Sequence, residues 1–284
     1  MYKFSCADFT FPVVDRLAAL KLIKILGFDS VDIGLFARSS HFSPRELAAS
    51  PDLYTRQVRD DLEAAGLQTS DVFLQIGVEP SEQAVNDPDP VVRAENKKFF
   101  QQAIEFTAAL GCRHMTGLPG TFHPGSNKEQ DTALAIEETL WRVEQCRKAG
   151  LAYSVEPHVG SLCADIASAQ HFVTTVSGLS LTLDYGHFIM AGESSTDVHA
   201  LIPYTSHIHV RGGAPGRLQT TVTDNTIDFA TMLHHLQRVG YDGFLALEYV
   251  WIDWNECNRT DNVSETILLR QAIKNIPLSL GGHG

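Results

Sequence analysis

The sequence predicts an α/β fold, a (β/α)8 TIM barrel, and three observations carry that prediction. Apolar, β-prone segments alternate with amphipathic helical segments eight times, and no linker divides them; such alternation builds a parallel sheet with crossover helices. The last four strand-like segments each reach a metal-ligand residue: SVEPH at Glu156, LTLDYGH at Asp184, HIHVRGG at His209 and LALEY at Glu248. These residues lie 28, 25 and 39 positions apart, roughly one strand–helix–strand step each. A barrel gathers its site from the C-terminal ends of several strands. A doubly wound open sheet is the alternative, but it would have to bring four successive strand ends to one point. Finally, 284 residues with 44% hydrophobic content suit a single domain over residues 1–284, since such barrels run to about 250 residues.

Each element follows in order. The first strand lies near Tyr2–Cys6, and the helix VVDRLAALKLIKILG stops at Gly27, a residue suited to the left-handed helix end. SVDIGLF is the second strand; a connection containing Ser43-Pro44 leads to the helix LYTRQVRDDLEAAG. QTSDVFLQI and VVRAENKKFFQQAIEFTAALG are the third pair, CRHMTGL and TALAIEETLWRVEQCRKAG the fourth, with a Pro/Gly loop from Leu118 to Gly125 between them. The four ligand-bearing strands come next, separated by helices expected at ADIASAQHFVTTV, TDVHALIPYT and IDFATMLHHLQRVG, and NVSETILLRQAIKNI closes the barrel.

Alternation within the strands fixes which side chains face inward. Glu156 shares a face with Ser154 and His158, Asp184 with Thr182, His209 with His207 and Arg211, and Glu248 with Ala246. The opposite faces carry Val155, Leu181, Leu183, Ile208, Val210, Leu245 and Leu247, large aliphatics suited to packing beneath helices. Four unrelated polar residues buried at strand ends would be costly, so a shared site is the simpler reading. Asp32 and His114 have the same inward parity and are weaker candidates.

Composition excludes several functions. With 34 acidic against 22 basic residues the net charge is −12, the wrong sign for gripping a phosphate backbone, so no nucleic-acid partner is expected. No run of about 18 apolar residues indicates a membrane span. The N-terminus MYKFSCADFTF lacks a secretory pattern. Five scattered cysteines without CxxC spacing fit a reduced, cytoplasmic setting. A homo-oligomer is expected.

On these motifs, from the opening strand and GFDSVDIG to GYDGFLALEY, the chain resembles the xylose-isomerase-like barrel superfamily and its sugar isomerase/epimerase branch. That branch includes ketose 3-epimerases, hydroxypyruvate isomerase, and inosose and dehydroshikimate dehydratases. The resemblance implies Glu156, Asp184, His209 and Glu248 as ligands of one divalent cation, with His187 of DYGH beside the substrate. It further implies that Glu156 and Glu248 double as the proton-transfer pair. An oxygen-rich shell with one imidazole suits Mn²⁺ or Mg²⁺, with Co²⁺ as a further option. His187, Arg211 and His158 are the expected substrate-binding residues, Arg211 because a guanidinium one pleat beyond His209 can hold an oxyanion. The expected activity is isomerisation or epimerisation of a sugar or keto-polyol by proton abstraction α to a metal-polarised carbonyl. Elimination by a keto-polyol dehydratase is the alternative, favoured by the lack of an acidic residue between Glu156 and Asp165; a non-catalytic sugar-binding barrel is the second.

Overall fold

The computed structural model describes residues 2–277. Eight parallel strands close into a barrel: β1 (Lys3–Ala7), β2 (Ser30–Phe36), β3 (Gln68–Gln75), β4 (His114–Gly117), β5 (Ala152–Val155), β6 (Ser180–Asp184), β7 (Thr205–Val210) and β10 (Phe244–Leu247), which pairs back onto β1. The short strands β8 (Gly212–Ala214) and β9 (Arg217–Thr220) form an antiparallel hairpin on the rim after β7. The aliphatic faces read from the sequence lie where parity puts them. Val155, Leu181, Leu183, Ile208, Val210, Leu245 and Leu247 all belong to the main core. Inside the barrel, Thr182 Oγ1 lies 2.5 Å from Ser154 Oγ and 2.7 Å from Thr116 Oγ1, so three neighbouring strands share hydroxyl bonds across the axis.

The helices start where their caps dictate. Helix α1 runs Arg16–Ile25 rather than from Val13, because Asp15 accepts the Ala18 amide at 3.0 Å and ends the extended segment there. A helix not expected from the sequence, α2 (Pro44–Ala49), is started by a reciprocal Ser43–Glu46 capping box and precedes α3 (Pro51–Ala65). Helices α4 (Pro90–Ala109), α5 (Lys128–Lys148) and α6 (Ile166–Thr175) fall close to expectation.

Two segments depart from it. DYGH does not continue the sixth strand: Asp184 accepts the Gly186 amide at 2.7 Å and caps a helix, α7 (Tyr185–Met190). TDVHALIPYT yields only α8 (Ser195–Val198) followed by a 3-10 segment, His199–Tyr204. Pro203 lies inside that segment, and its missing N–H removes an i→i−4 bond that a continuing α-helix would need. Helices α9 (Phe229–Val239) and α10 (Asn262–Lys274) complete the ring.

Candidate active site

The register brings the predicted residues together. Asp184 pairs with His209 across β6 and β7, and Ala246 of β10 pairs with the same histidine, so Glu248 lies one pleat further along. Glu156 and Glu248 stand just past their strands but continue the ladders, their amides donating to Gly117 O at 2.9 Å and Val210 O at 3.1 Å. All four side chains are buried at the C-terminal mouth of the barrel.

They form two overlapping groups, not a single ring of four. Glu156, His209 and Glu248 offer ligand atoms within 4.8 Å of one another; Glu156, Asp184 and His187 do the same. His209 Nδ1 is 2.6 Å from Glu156 Oε1 and 3.4 Å from Glu248 Oε2. Arg211 separates Asp184 from Glu248. Its Nε donates to Asp184 Oδ2 at 2.9 Å, its Nη2 donates to the same oxygen, and Nη2 lies 3.1 Å from Glu248 Oε2. That last contact is too poorly aligned to be a hydrogen bond, and it leaves Glu248 Oε2 buried without a partner. Arg211, expected to reach for substrate, lines the cavity and contacts both carboxylates.

Charge in this cluster is balanced by the protein's own cations. Burial opposes ionisation of Glu156, but the adjacent His209 outweighs it and pulls the carboxyl down to about 2. Burial dominates at Glu248 and, with the neighbouring carboxylates, raises it to about 8 despite His209 and Arg211. His209 is itself held well above the usual imidazole range: burial works against the charge, and Glu248 and Glu156 overcome it. The two carboxyls are therefore pushed in opposite directions in the metal-free cluster.

The donor set fits a divalent cation. Two carboxylates and an imidazole within coordinating reach, one carboxylate oxygen lacking a hydrogen-bond partner, and a third carboxylate held by Arg211 make an O,O,O,N set of the type that suits Mn²⁺ or Mg²⁺.

His187 and His158 line the same cavity. Burial lowers His187 to about 4, so it is neutral. His158 is lowered likewise by burial; its Nδ1 bonds Val159 O at 3.0 Å while Nε2 is buried and unpartnered.

A polar column continues below the site. Asp32 Oδ2 accepts from His207 Nε2 at 2.6 Å and lies 3.6 Å from His209 Nε2; Ser5 and Ser70 donate to Asp32 Oδ1 at 2.9 and 2.5 Å. Beyond it, Asp71 meets His114 at 2.6 Å, and His114 meets Ser206 at 2.8 Å. Parity alone pointed to Asp32 and His114. Asp71 escaped notice because β3 carries no ligand motif at its end.

The chain compares with known proteins as follows. The family model described as xylose isomerase-like TIM barrel matches residues 20–272. A protein of Streptomyces coelicolor named as a hydroxypyruvate isomerase is 24% identical over 215 residues, covering 68% of this chain and 72% of that one. Among solved structures, D-psicose 3-epimerase from Clostridium cellulolyticum H10 superposes with a TM-score of 0.75 at 16% identity, covering 96% of this chain and 99% of that one. A Bacillus anthracis protein named as a 3-DHS dehydratase gives 0.68 at 12% identity, covering 94% and 98%; at such identities the likeness is one of fold. The chain belongs to the xylose isomerase-like TIM-barrel family.

Proposed function

We propose that the protein is a divalent-metal-dependent isomerase or epimerase of a sugar or keto-polyol, working by proton transfer between Glu156 and Glu248. The observation that supports this reading is the pair of buried carboxyls flanking one imidazole, His209 Nδ1 lying 2.6 Å from Glu156 Oε1 and 3.4 Å from Glu248 Oε2, with burial and neighbouring charge pushing Glu156 down and Glu248 up in the metal-free cluster. Two carboxyls pushed apart in this way mark a base and an acid. Glu156 takes the proton α to the substrate carbonyl, the C–H electrons delocalise onto the carbonyl oxygen, and Glu248 returns its own proton. Delivery to the opposite face of the same carbon inverts it; delivery to the neighbouring carbon isomerises. Exchange with solvent resets the pair. When bound by Glu156, Asp184, His209 and Glu248, Mn²⁺ or Mg²⁺ would polarise the carbonyl and stabilise the developing charge. His187 and His158, whose Nε2 has no hydrogen-bond partner, line the same cavity, which supports them as partners for substrate hydroxyls. The negative surface and the small, buried centre favour a small-molecule substrate over nucleic acid.

One observation favours elimination as the second reading. A carboxyl raised to about 8 can protonate a departing β-hydroxyl as readily as a carbanion. NMR of Mn²⁺-loaded protein with ketoses, keto-inositols and dehydroshikimate in D₂O distinguishes the two. Deuterium at the α-carbon of product or recovered substrate is expected for the first reading, and an ultraviolet-absorbing enone for the second. Turnover with neither exchange nor elimination would point to a hydride shift and overturn both.

A further inference from the structure

Beneath the proposed reacting groups, the barrel interior holds a second set of ligand-type side chains. One oxygen or nitrogen from each of Asp32, Asp71, His207 and His209 lies within 4.8 Å of every other, and all four residues are buried. Their placement follows from the topology. Asp32 and Asp71 are paired directly across β2 and β3, and His207 and His209 share one face of β7. Strand β7 is separated from β2 by β10 and β1, so the four donors meet across the interior of the barrel.

Each aspartate has one oxygen held from outside the group. Ser5 and Ser70 donate to Asp32 Oδ1 at 2.9 and 2.5 Å, and His114 Nδ1 donates to Asp71 Oδ1 at 2.6 Å. Outer contacts of this kind orient ligating carboxylates. The second oxygens are placed differently. Asp32 Oδ2 takes His207 Nε2 at 2.6 Å and lies 3.6 Å from His209 Nε2, while Asp71 Oδ2 has no hydrogen-bond partner. His209 Nε2 has none either, although its side chain is fully buried. Buried polar groups are as a rule paired, and a network of hydrogen bonds alone leaves these two ligand-type atoms unsatisfied. The spacings of 2.6 and 3.6 Å about Asp32 Oδ2 bracket the roughly 3.4 Å between donors set tetrahedrally at about 2.1 Å from a cation.

We propose that Asp32, Asp71, His207 and His209 form a second cation site, of the Zn²⁺ class, inside the barrel. Two imidazoles and two carboxylates make an N,N,O,O set, which suits Zn²⁺ or Co²⁺ better than does the oxygen-rich set above it. Four protein donors leave no position for a substrate, so the site is structural, tying β2 and β3 to β7. His209 is shared. Its Nδ1 faces Glu156 and Glu248 and its Nε2 lies towards Asp32, so the ring offers one nitrogen to each site. The inference goes beyond the proposed reaction and has only this histidine in common with it. A buried water is the competing occupant, but a neutral molecule does not offset two carboxylates paired on adjacent strands. His114, the first residue of β4, has a side chain 13% exposed and marks the way in from the opposite mouth.

Calorimetric titration of the chelator-treated full chain with Zn²⁺, with metal analysis after dialysis, counts the sites. Two equivalents per chain are expected for the unaltered protein. Asp71→Asn and, independently, His207→Gln should each lose one equivalent and keep the other, whose retention also shows that the variant is folded. Ser70→Ala, which removes only a donor to Asp32, should weaken the same equivalent about tenfold or more. Asp184→Asn should lose the other equivalent. Loaded with Co²⁺, the unaltered protein should show the strong visible absorption of four-coordinate cobalt, and its absence overturns the lower site without recourse to any variant. A single equivalent that survives Asp71→Asn and is lost in Asp184→Asn also overturns it, and assigns the space to water. The reverse pattern refutes the upper shell alone, and no binding at all refutes both.

Discussion

Glu248 and Arg211 show how single residues set the behaviour of the metal-free site. A carboxyl whose folded pKa is raised from the usual value to about 8 contributes stability that is present below about pH 4.5 and lost as pH rises through 8. Glu248→Gln should therefore flatten the alkaline decline of Tm in metal-free protein, as scanning calorimetry from pH 5 to 9 would show. His187 acts in the opposite sense: its pKa, lowered to about 4, makes stability fall as pH drops below about 6.5. The same Glu248→Gln change, and Glu156→Gln, should reduce turnover by at least the 10²–10⁴-fold typical of general acid–base groups; a Glu248→Gln enzyme that kept its turnover with metal bound would refute the two-carboxylate mechanism. Arg211 lies on Asp184 and close to Glu248, two of the four proposed ligands. Arg211→Met should thus raise Mn²⁺ affinity about tenfold or more by titration calorimetry. Weaker binding would mean that the guanidinium orients Asp184 instead of competing for it.

Among the elements, the rim hairpin governs the loop that follows β10. Gln219 of β9 accepts from the Val250 amide at 2.7 Å and donates to Val250 O and Cys257 O at 3.0 and 2.8 Å, so one buried amide holds both ends of the segment bearing Trp251 and Trp254. Gln219→Leu removes three bonds and should raise hydrogen exchange across residues 250–257; unchanged protection there would show that packing alone fixes the loop. This hairpin also marks a limit on what the sequence reveals. Strand parity placed Glu156, Asp184, His209 and Glu248 on one inner face because a period of two is local and robust. The Asp184-capped helix was hidden because DYGH reads equally well as the end of a strand. Arg211 was legible as inward-facing, but its partners were not, since they depend on side chains from two other strands. The ring contacts of Phe9, just past β1, with Phe36 of β2 and of Phe36 with Phe73 of β3 have no signature in any one segment.

At the scale of the molecule, the proposed cation site is assembled across four strands that all must be in place, so metal binding there would be coupled to folding. At a free Mn²⁺ concentration about 100 times its Kd, linkage adds about 2.7 kcal/mol. That shift should appear as a Tm rise of several degrees, reversed by chelation, and an unchanged Tm would contradict the proposed shell. Among the described residues no helix is long and apolar enough to cross a membrane. The barrel divides its labour by sector: strands β5, β6, β7 and β10 position the proposed reactive groups, while Phe9, Phe36 and Phe73 gather at or beyond the ends of β1 to β3. The two sectors are contributed by largely separate stretches of chain, so the loops and strand ends of the first third can diverge without disturbing the acids. Exchanging residues 8–10, 36–42 and 74–80 between relatives is then a route to new substrates with an inherited reaction, and the seam to preserve is the contact of His209 with Phe73 and Asp32.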